Sequence, residues 1–149
     1  MTAGSKIEMG TNKQNLNNYP SAPTGTKTYG EWDFVMPSDW NGGTITAEFF
    51  WTTGNASTNS VVWGIQGRAY APGDAIDQAW GTAIEVTSAN VAVSYSDLKS
   101  AATAAITLAG TTPEGGQSVR LRAYRLGSGA DNLPAAALIK CVRINYTRS

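Results

Sequence analysis

Apolar and polar positions alternate most clearly between Glu31 and Thr52, EWDFVMPSDWNGGTITAEFFWT. Trp32 and Phe34 head a first run that stops at Pro37, after which Ser38–Gly43 turns the chain. In the next run Ile45, Ala47, Phe49 and Trp51 share one face, while Thr44, Thr46, Glu48 and Phe50 share the other. Successive side chains of a strand point to opposite sides, so this pattern predicts a strand with one face in a core. Asn41-Gly42-Gly43 supplies the positive φ values a tight reversal needs, and Pro37, which has no N–H, marks where pairing stops.

The alternation recurs along the chain. Val61, Trp63, Ile65, Gly67 and Ala69 line one face of VVWGIQGRAY. After a Pro-Gly-Asp corner, a short strand is expected near Trp80–Thr87, another at Ala104–Ala109, a cleanly alternating one at Val119–Arg125, and a long last one at Leu138–Thr147. Ser96–Ala105, SDLKSAATAA, opens on a capping serine and holds strong helix formers, so it predicts one or two helical turns. Strands at this spacing, separated by turn signals, point to a sandwich. Long strands with long crossing loops favour a jelly roll over a meander, with the last strand lying beside the early ones. The expected fold is all-β: an antiparallel β-sandwich of jelly-roll type with about eight strands, over residues 29–149. Residues 1–28 hold few large apolar side chains and cannot build a core of their own. They read as an extended polar arm that orders on something else, or as a frayed terminus.

Composition narrows the function. The 149 residues suffice for one domain with a sizeable core. Only 15% are charged, below the usual quarter, which suits a surface covered within an assembly but equally a small β domain. Net charge is zero but unevenly spread. Residues 29–119 carry nine acids against Arg68 and Lys99, a balance of −7; residues 120–149 carry six bases against Asp131, a balance of +5; residues 1–28 add +2. Segments so charged neutralise one another if they pair. A nucleic-acid partner calls for a basic domain, so none is expected. No apolar run reaches the roughly 18 residues of a membrane span, and no secretory signal is visible at Met1-Thr2-Ala3-Gly4.

Reaction chemistry is sparse. The chain has no histidine, which removes the commonest general base, Ser-His and Cys-His pairs, and His-ligated metals. Its single cysteine, Cys141, cannot form an internal disulfide and reads as a small core or interface side chain. Asp74 and Asp77 are the nearest candidates for a hydrolytic carboxylate pair, and they or Asp131 for a calcium loop. Their spacing matches neither pattern, and turn residues that bond nearby amides are the better reading. No enzyme activity, metal or cofactor is expected. Of the five tryptophans, Trp32, Trp51 and Trp63 fall on strands. Trp40 and Trp80 fall at corners, where each either plugs the core or offers an exposed ring to a sugar.

A wider pattern runs through these motifs. Trp32-Asp-Phe-Val-Met-Pro37, Trp40-Asn-Gly-Gly43, Phe50-Trp51 and Val61-Val-Trp63-Gly-Ile-Gln66 are followed by Arg68-Ala-Tyr70, Gly73-Asp74, Ile106–Gly110, Tyr124-Arg125 before Asp131, and Leu138–Tyr146. Over roughly residues 30–147 this resembles a jelly-roll domain of tailed-bacteriophage virion proteins, of the capsid decoration (cement) or the head- or tail-fibre appendage type. The resemblance implies a trimeric β-sandwich exposed on a phage particle, made in the host cytoplasm. A short jelly roll bearing an arm, without fibre repeats, is most similar to a decoration protein on the outer surface of the capsid. Its partners would be the major capsid protein and itself as a homotrimer. Lys6, Ile7, Met9, Asn12, Leu16 and Tyr19 are then the candidate capsid contacts of the arm, since an ordering arm trades chain entropy for wide contact area. The alternative is a host-recognition or carbohydrate-binding module of a tail fibre or spike, with Trp40 and Trp80 facing a host glycan.

Overall fold

In a computed structural model, residues 2–3, 5–8, 12 and 14–149 are described. Their strands are β1 (Thr2–Ala3), β2 (Ser5–Glu8), β3 (Asn15–Tyr19), β4 (Lys27–Val35), β5 (Trp40–Thr53), β6 (Ser60–Tyr70), β7 (Ile84–Ala89), β8 (Leu98–Lys99), β9 (Ser118–Leu126) and β10 (Ala137–Arg148). One sheet has the order β1-β4-β9-β6-β7 and the other β2-β3-β10-β5-β8, antiparallel throughout except where β1 runs parallel to β4. From β3 to β10 the chain changes sheet at every connection except β6–β7. That order, with the last strand between β3 and β5, is a jelly-roll sandwich.

The core lies between the sheets on the faces that the alternation predicts. Ile45, Ala47, Phe49 and Trp51 of β5 and Val61, Trp63, Ile65 and Ala69 of β6 are all buried. Trp63 sits at the centre. Its ring stacks on Phe49 (centroids 5.6 Å apart, planes at 17°) and takes edge contacts from Trp51 (6.0 Å) and Tyr19 (5.4 Å). Such aromatic pairs add about 0.5–1.5 kcal/mol each to what burial alone gives. The Trp51 indole N–H donates to Ser88 Oγ at 3.0 Å, so this deep ring leaves no unpaired donor.

The uneven charge becomes cross-strand pairing. Register places Arg120 opposite Asp33 and Arg122 opposite Glu31 on the β4–β9 pair, and Arg143 opposite Glu48 on β5–β10. Arg120 grips Asp33 with two bonds of 2.7 and 3.0 Å, and Glu48 accepts from Lys99 at 3.1 Å as well as from Arg143. Arg148–Asp39 (3.2 Å) and Lys140–Asp97 (2.8 Å) continue the pattern. The basic strands β9 and β10 therefore neutralise the acids of the preceding segments, as opposite charges on paired strands should.

One charge pair is internal. Arg125 is 1% exposed and lies on the inward face at the end of β9. Its Nε and Nη2 grip the Asp131 carboxylate at 2.8 and 2.6 Å, and Nη2 also donates to the Leu133 carbonyl at 2.6 Å. Nη1 donates to the carbonyls of Ala135 (2.6 Å) and Tyr19 (3.2 Å). A guanidinium has five N–H donors, and five acceptors surround this one. The ion thereby ties the β9–β10 loop and the end of β3 to the sandwich.

Two expectations are corrected. Ser96–Ala105 forms no helix but runs beside β5 as an irregular edge that includes β8. Ser100 and Thr103 each serve β5 twice: their N–H groups donate to the Phe49 and Ala47 carbonyls, and their hydroxyls accept from the Phe49 and Ala47 N–H groups at 3.0 Å. Ile106 exchanges two backbone bonds with Ile45. Local helix preference loses because hydroxyls three residues apart can substitute for a ladder. Cys141, expected as a small core or interface side chain, is exposed and so is not a core residue. The β5–β10 register shifts between Ile139 and Cys141, and this bulge at Lys140 turns both Lys140 and Cys141 outward.

Candidate interaction surfaces

The edge strands of the two sheets meet along one side of the sandwich. β3 pairs with β10 only at Ala137–Ile139, and β1 pairs with β4 only at Thr28 and Tyr29. Beyond those positions, the remaining edges of β10 and β4 carry no strand partner among the described residues. Side chains explain why β3 stops. Tyr19 lies opposite Ala137 on the core face, so the inward position before it is Asn17, which is unsuited to apolar contact. Between the two open edges lies a cleft of about 460 Å³ lined by Trp32, Phe34, Ile65, Leu121, Val142 and Ile144. An open strand edge beside apolar side chains is a ready template for another backbone.

The expected arm, residues 1–28, thus contributes strands to the edges of both sheets. Lys6 is exposed on β2, which forms a hairpin with β3. Ile7 also lies on β2, Asn12 is exposed at the turn, and Leu16 is half-buried on β3. Met9 lies outside the described residues. Tyr19 is corrected from a contact residue to a core residue: it is fully buried against Trp63 and offers nothing to a partner. Its hydroxyl fits only because residue 30 is glycine, where a Cβ would lie 2.2 Å from that oxygen. Burial pushes the Tyr19 phenol well above its ordinary pKa.

A second surface is the loop between β7 and β8. Val91, Val93 and Tyr95 are 46%, 60% and 58% exposed, three large apolar side chains within five positions. The base of this loop is fixed. Asn90, 4% exposed, donates from its amide to the Asn55 and Ser57 carbonyls at 2.9 and 2.6 Å. Tyr95 has φ of +57°, a left-handed value uncommon for a bulky residue, and its N–H is held by the Thr53 carbonyl at 2.7 Å.

The third surface is the outer face of the β4–β9–β6 sheet. The Lys27 ammonium lies 4.1 Å from the Tyr124 ring centre, and the Arg122 guanidinium packs 4.4 Å from Tyr29 and 4.5 Å from Trp80. Tyr124, fully buried on this face, donates to Glu85 at 2.7 Å; burial first and then that bond raise its pKa. Gly64 opposite makes room for the ring, since a Cβ there would lie 2.1 Å from it. The two corner tryptophans part company here. Trp40 is 3% exposed and belongs to the core, its backbone N–H donating to the Pro37 carbonyl at 3.0 Å and its register partner on β10 being Arg148. It is withdrawn as an exposed aromatic. Trp80 is half-buried on Arg122.

The loop acids behave as turn residues. Asp74 accepts from the Ala71 N–H at 2.9 Å and closes the corner, while Asp131 is engaged by Arg125 and the Val62 N–H. The alternating β9 sequence signals the cation–aromatic face, whereas the open edges and the apolar loop carry no such pattern. The chain matches no protein-family model, no curated protein and no solved structure.

Proposed function

We propose that this chain is a non-enzymatic virion protein of a tailed bacteriophage, a decoration (cement) protein bound to the outer surface of the head shell. The observation that carries the reading is the pair of open strand edges flanking the apolar cleft, with the N-terminal strands attached at their ends. A shell protein can complete such edges with its own backbone, and the apolar 90–96 loop supplies a second contact. Trimerisation multiplies these modest contacts, because after the first engages the others act at high effective concentration. The jelly-roll order agrees with what the resemblance to phage virion domains implies. The major capsid protein is the proposed partner.

The test is a truncation. Removing residues 1–28 would strip β3 and Tyr19 from the core, so the informative variant lacks residues 1–14 only. It is expected to fold, to elute as a trimer in size-exclusion chromatography with light scattering, and to lose co-sedimentation with head shells stripped of the wild-type protein. Undiminished occupancy of those shells would remove the N-terminal segment from the binding role. A monomer at high concentration would remove the trimer.

A further inference from the structure

The 71–83 loop folds back over the outer face of β6 and β9 and leaves a cleft of about 300 Å³ there, lined by Tyr70, Ile76, Asp77, Gln78, Trp80 and Arg120. The loop is rigidly built. Arg68, 8% exposed beneath it, donates to the Ala79 carbonyl at 2.9 Å and to the Gln78 side-chain oxygen. The Tyr70 hydroxyl donates to the Ile76 carbonyl at 3.0 Å, and Gly81 donates to the Gly67 carbonyl at 3.1 Å. A side chain at residue 81 would meet the Thr107 carbonyl at 2.6 Å, so only glycine lets the loop lie this close. Trp80 is held by Arg122 behind it.

We propose that this cleft binds a neutral saccharide, a role separate from attachment to the shell. Tyr70 and Trp80 provide flat apolar walls for the C–H face of a pyranose, and Asp77 accepts hydroxyl hydrogens at the rim. A volume near 300 Å³ is the lower end of small-molecule sites and suits one or two sugar rings. No net positive charge is left at the cleft to favour an acidic sugar. Arg120 already spends Nε and Nη2 on Asp33, which leaves a neutral pair with spare N–H donors. Asp77 makes no ion pair with any described residue, and Arg68 beneath the loop, bonded only to neutral oxygens, balances its charge, so the cleft is close to neutral. Immediately beyond Tyr70 and Ile76 lies a second depression of about 560 Å³, edged by Val35, Pro72, Glu114 and Gln117, which gives a chain of sugars room to continue.

The experiment is a titration of the full chain, labelled with nitrogen-15, with neutral hexose tetrasaccharides, a uronic-acid tetrasaccharide and tetralysine at millimolar concentration. The expected result is a saturable shift of the Trp80 indole N–H and the 74–80 amides with at least one neutral sugar. Asp77→Ala is expected to weaken that binding about tenfold or more, the loss of one hydrogen bond to a charged group. Its exposed position should leave the melting temperature unchanged, so it keeps the test valid if Trp80→Ala unfolds. No shift with any neutral sugar, equal binding by Asp77→Ala, or preference for the uronic acid or for tetralysine would each overturn the proposal. Because shell binding is read separately by co-sedimentation, the two readings fail independently.

Discussion

Replacing Arg125 with alanine should be the most damaging single change among the charged residues. The substitution leaves the Asp131 carboxylate, 3% exposed at its side chain, without its cation, and three carbonyls without donors. Breaking a buried pair by removing one partner costs about 3–5 kcal/mol. That is a fifth or more of the roughly 5–15 kcal/mol that holds an ordinary domain together. For a chain of this size each kcal/mol moves the midpoint by about 2–4 °C, so the melting temperature should fall by about 6–20 °C. Urea unfolding followed by tryptophan fluorescence gives the free energy directly, since Trp51 and Trp63 lie in the core. Arg148→Ala is the control: its pair with Asp39 has side chains 77% and 42% exposed, and such pairs contribute at most about 1 kcal/mol. Arg125→Ala should also release β3, because Nη1 holds the Tyr19 carbonyl, so amide exchange at Asn17–Tyr19 should speed up more than at β6. If Arg125→Ala loses no more stability than Arg148→Ala, or β3 stays protected, Arg125 does not tie β3 to the sandwich.

Three further outcomes follow from the packing and the charges. Gly64→Ala should destabilise by about 1–3 kcal/mol, because its Cβ would overlap the Tyr124 ring, whereas Gly129→Ala, with open space around it, should be near neutral in the same urea assay. Tyr19→Phe should be neutral or stabilising by about 1 kcal/mol, since the buried hydroxyl has no hydrogen-bond partner; a larger loss would reveal one. Glu48 is held down to a pKa of about 2, first by its bond from Arg143 and then by Lys99. A depressed folded pKa means its stabilisation is complete above the ordinary glutamate value of about 4.3 and is lost as pH falls toward the folded value. The stability of Glu48→Gln should therefore fall less steeply than that of wild type between pH about 4.3 and about 2, and parallel profiles would refute the assignment.

The sequence discloses this fold where local physics and tertiary packing agree. Alternation on β5 and β6 placed the core faces because side-chain direction along a strand is a purely local property. Ser96–Ala105 misleads for the opposite reason: its helix formers are overruled by a distant strand whose backbone Ser100 and Thr103 happen to satisfy. Arg125 was visible in principle, since the alternation of Val119, Leu121 and Ala123 puts position 125 on the inner face. Charge counting alone does not separate it from the other five bases of residues 120–149. The bulge at Lys140 also leaves a trace, in that apolar residues fall at 139, 142, 144 and 146, with one step of three. The open edges leave none. The β10 edge depends on how far it runs with β3, more than a hundred residues away, and the β4 edge on how far it runs with β1, and only the assembled sheets show where each pairing ends.

The central claim is that this jelly roll decorates a phage head. Cryo-electron microscopy of the particle that carries the chain tests it most directly. The account predicts sandwich-shaped density on the outer shell, in groups of three, with β4 and β10 turned toward the capsid subunits. Density on the tail alone, or on the shell with those edges facing solvent, would contradict it.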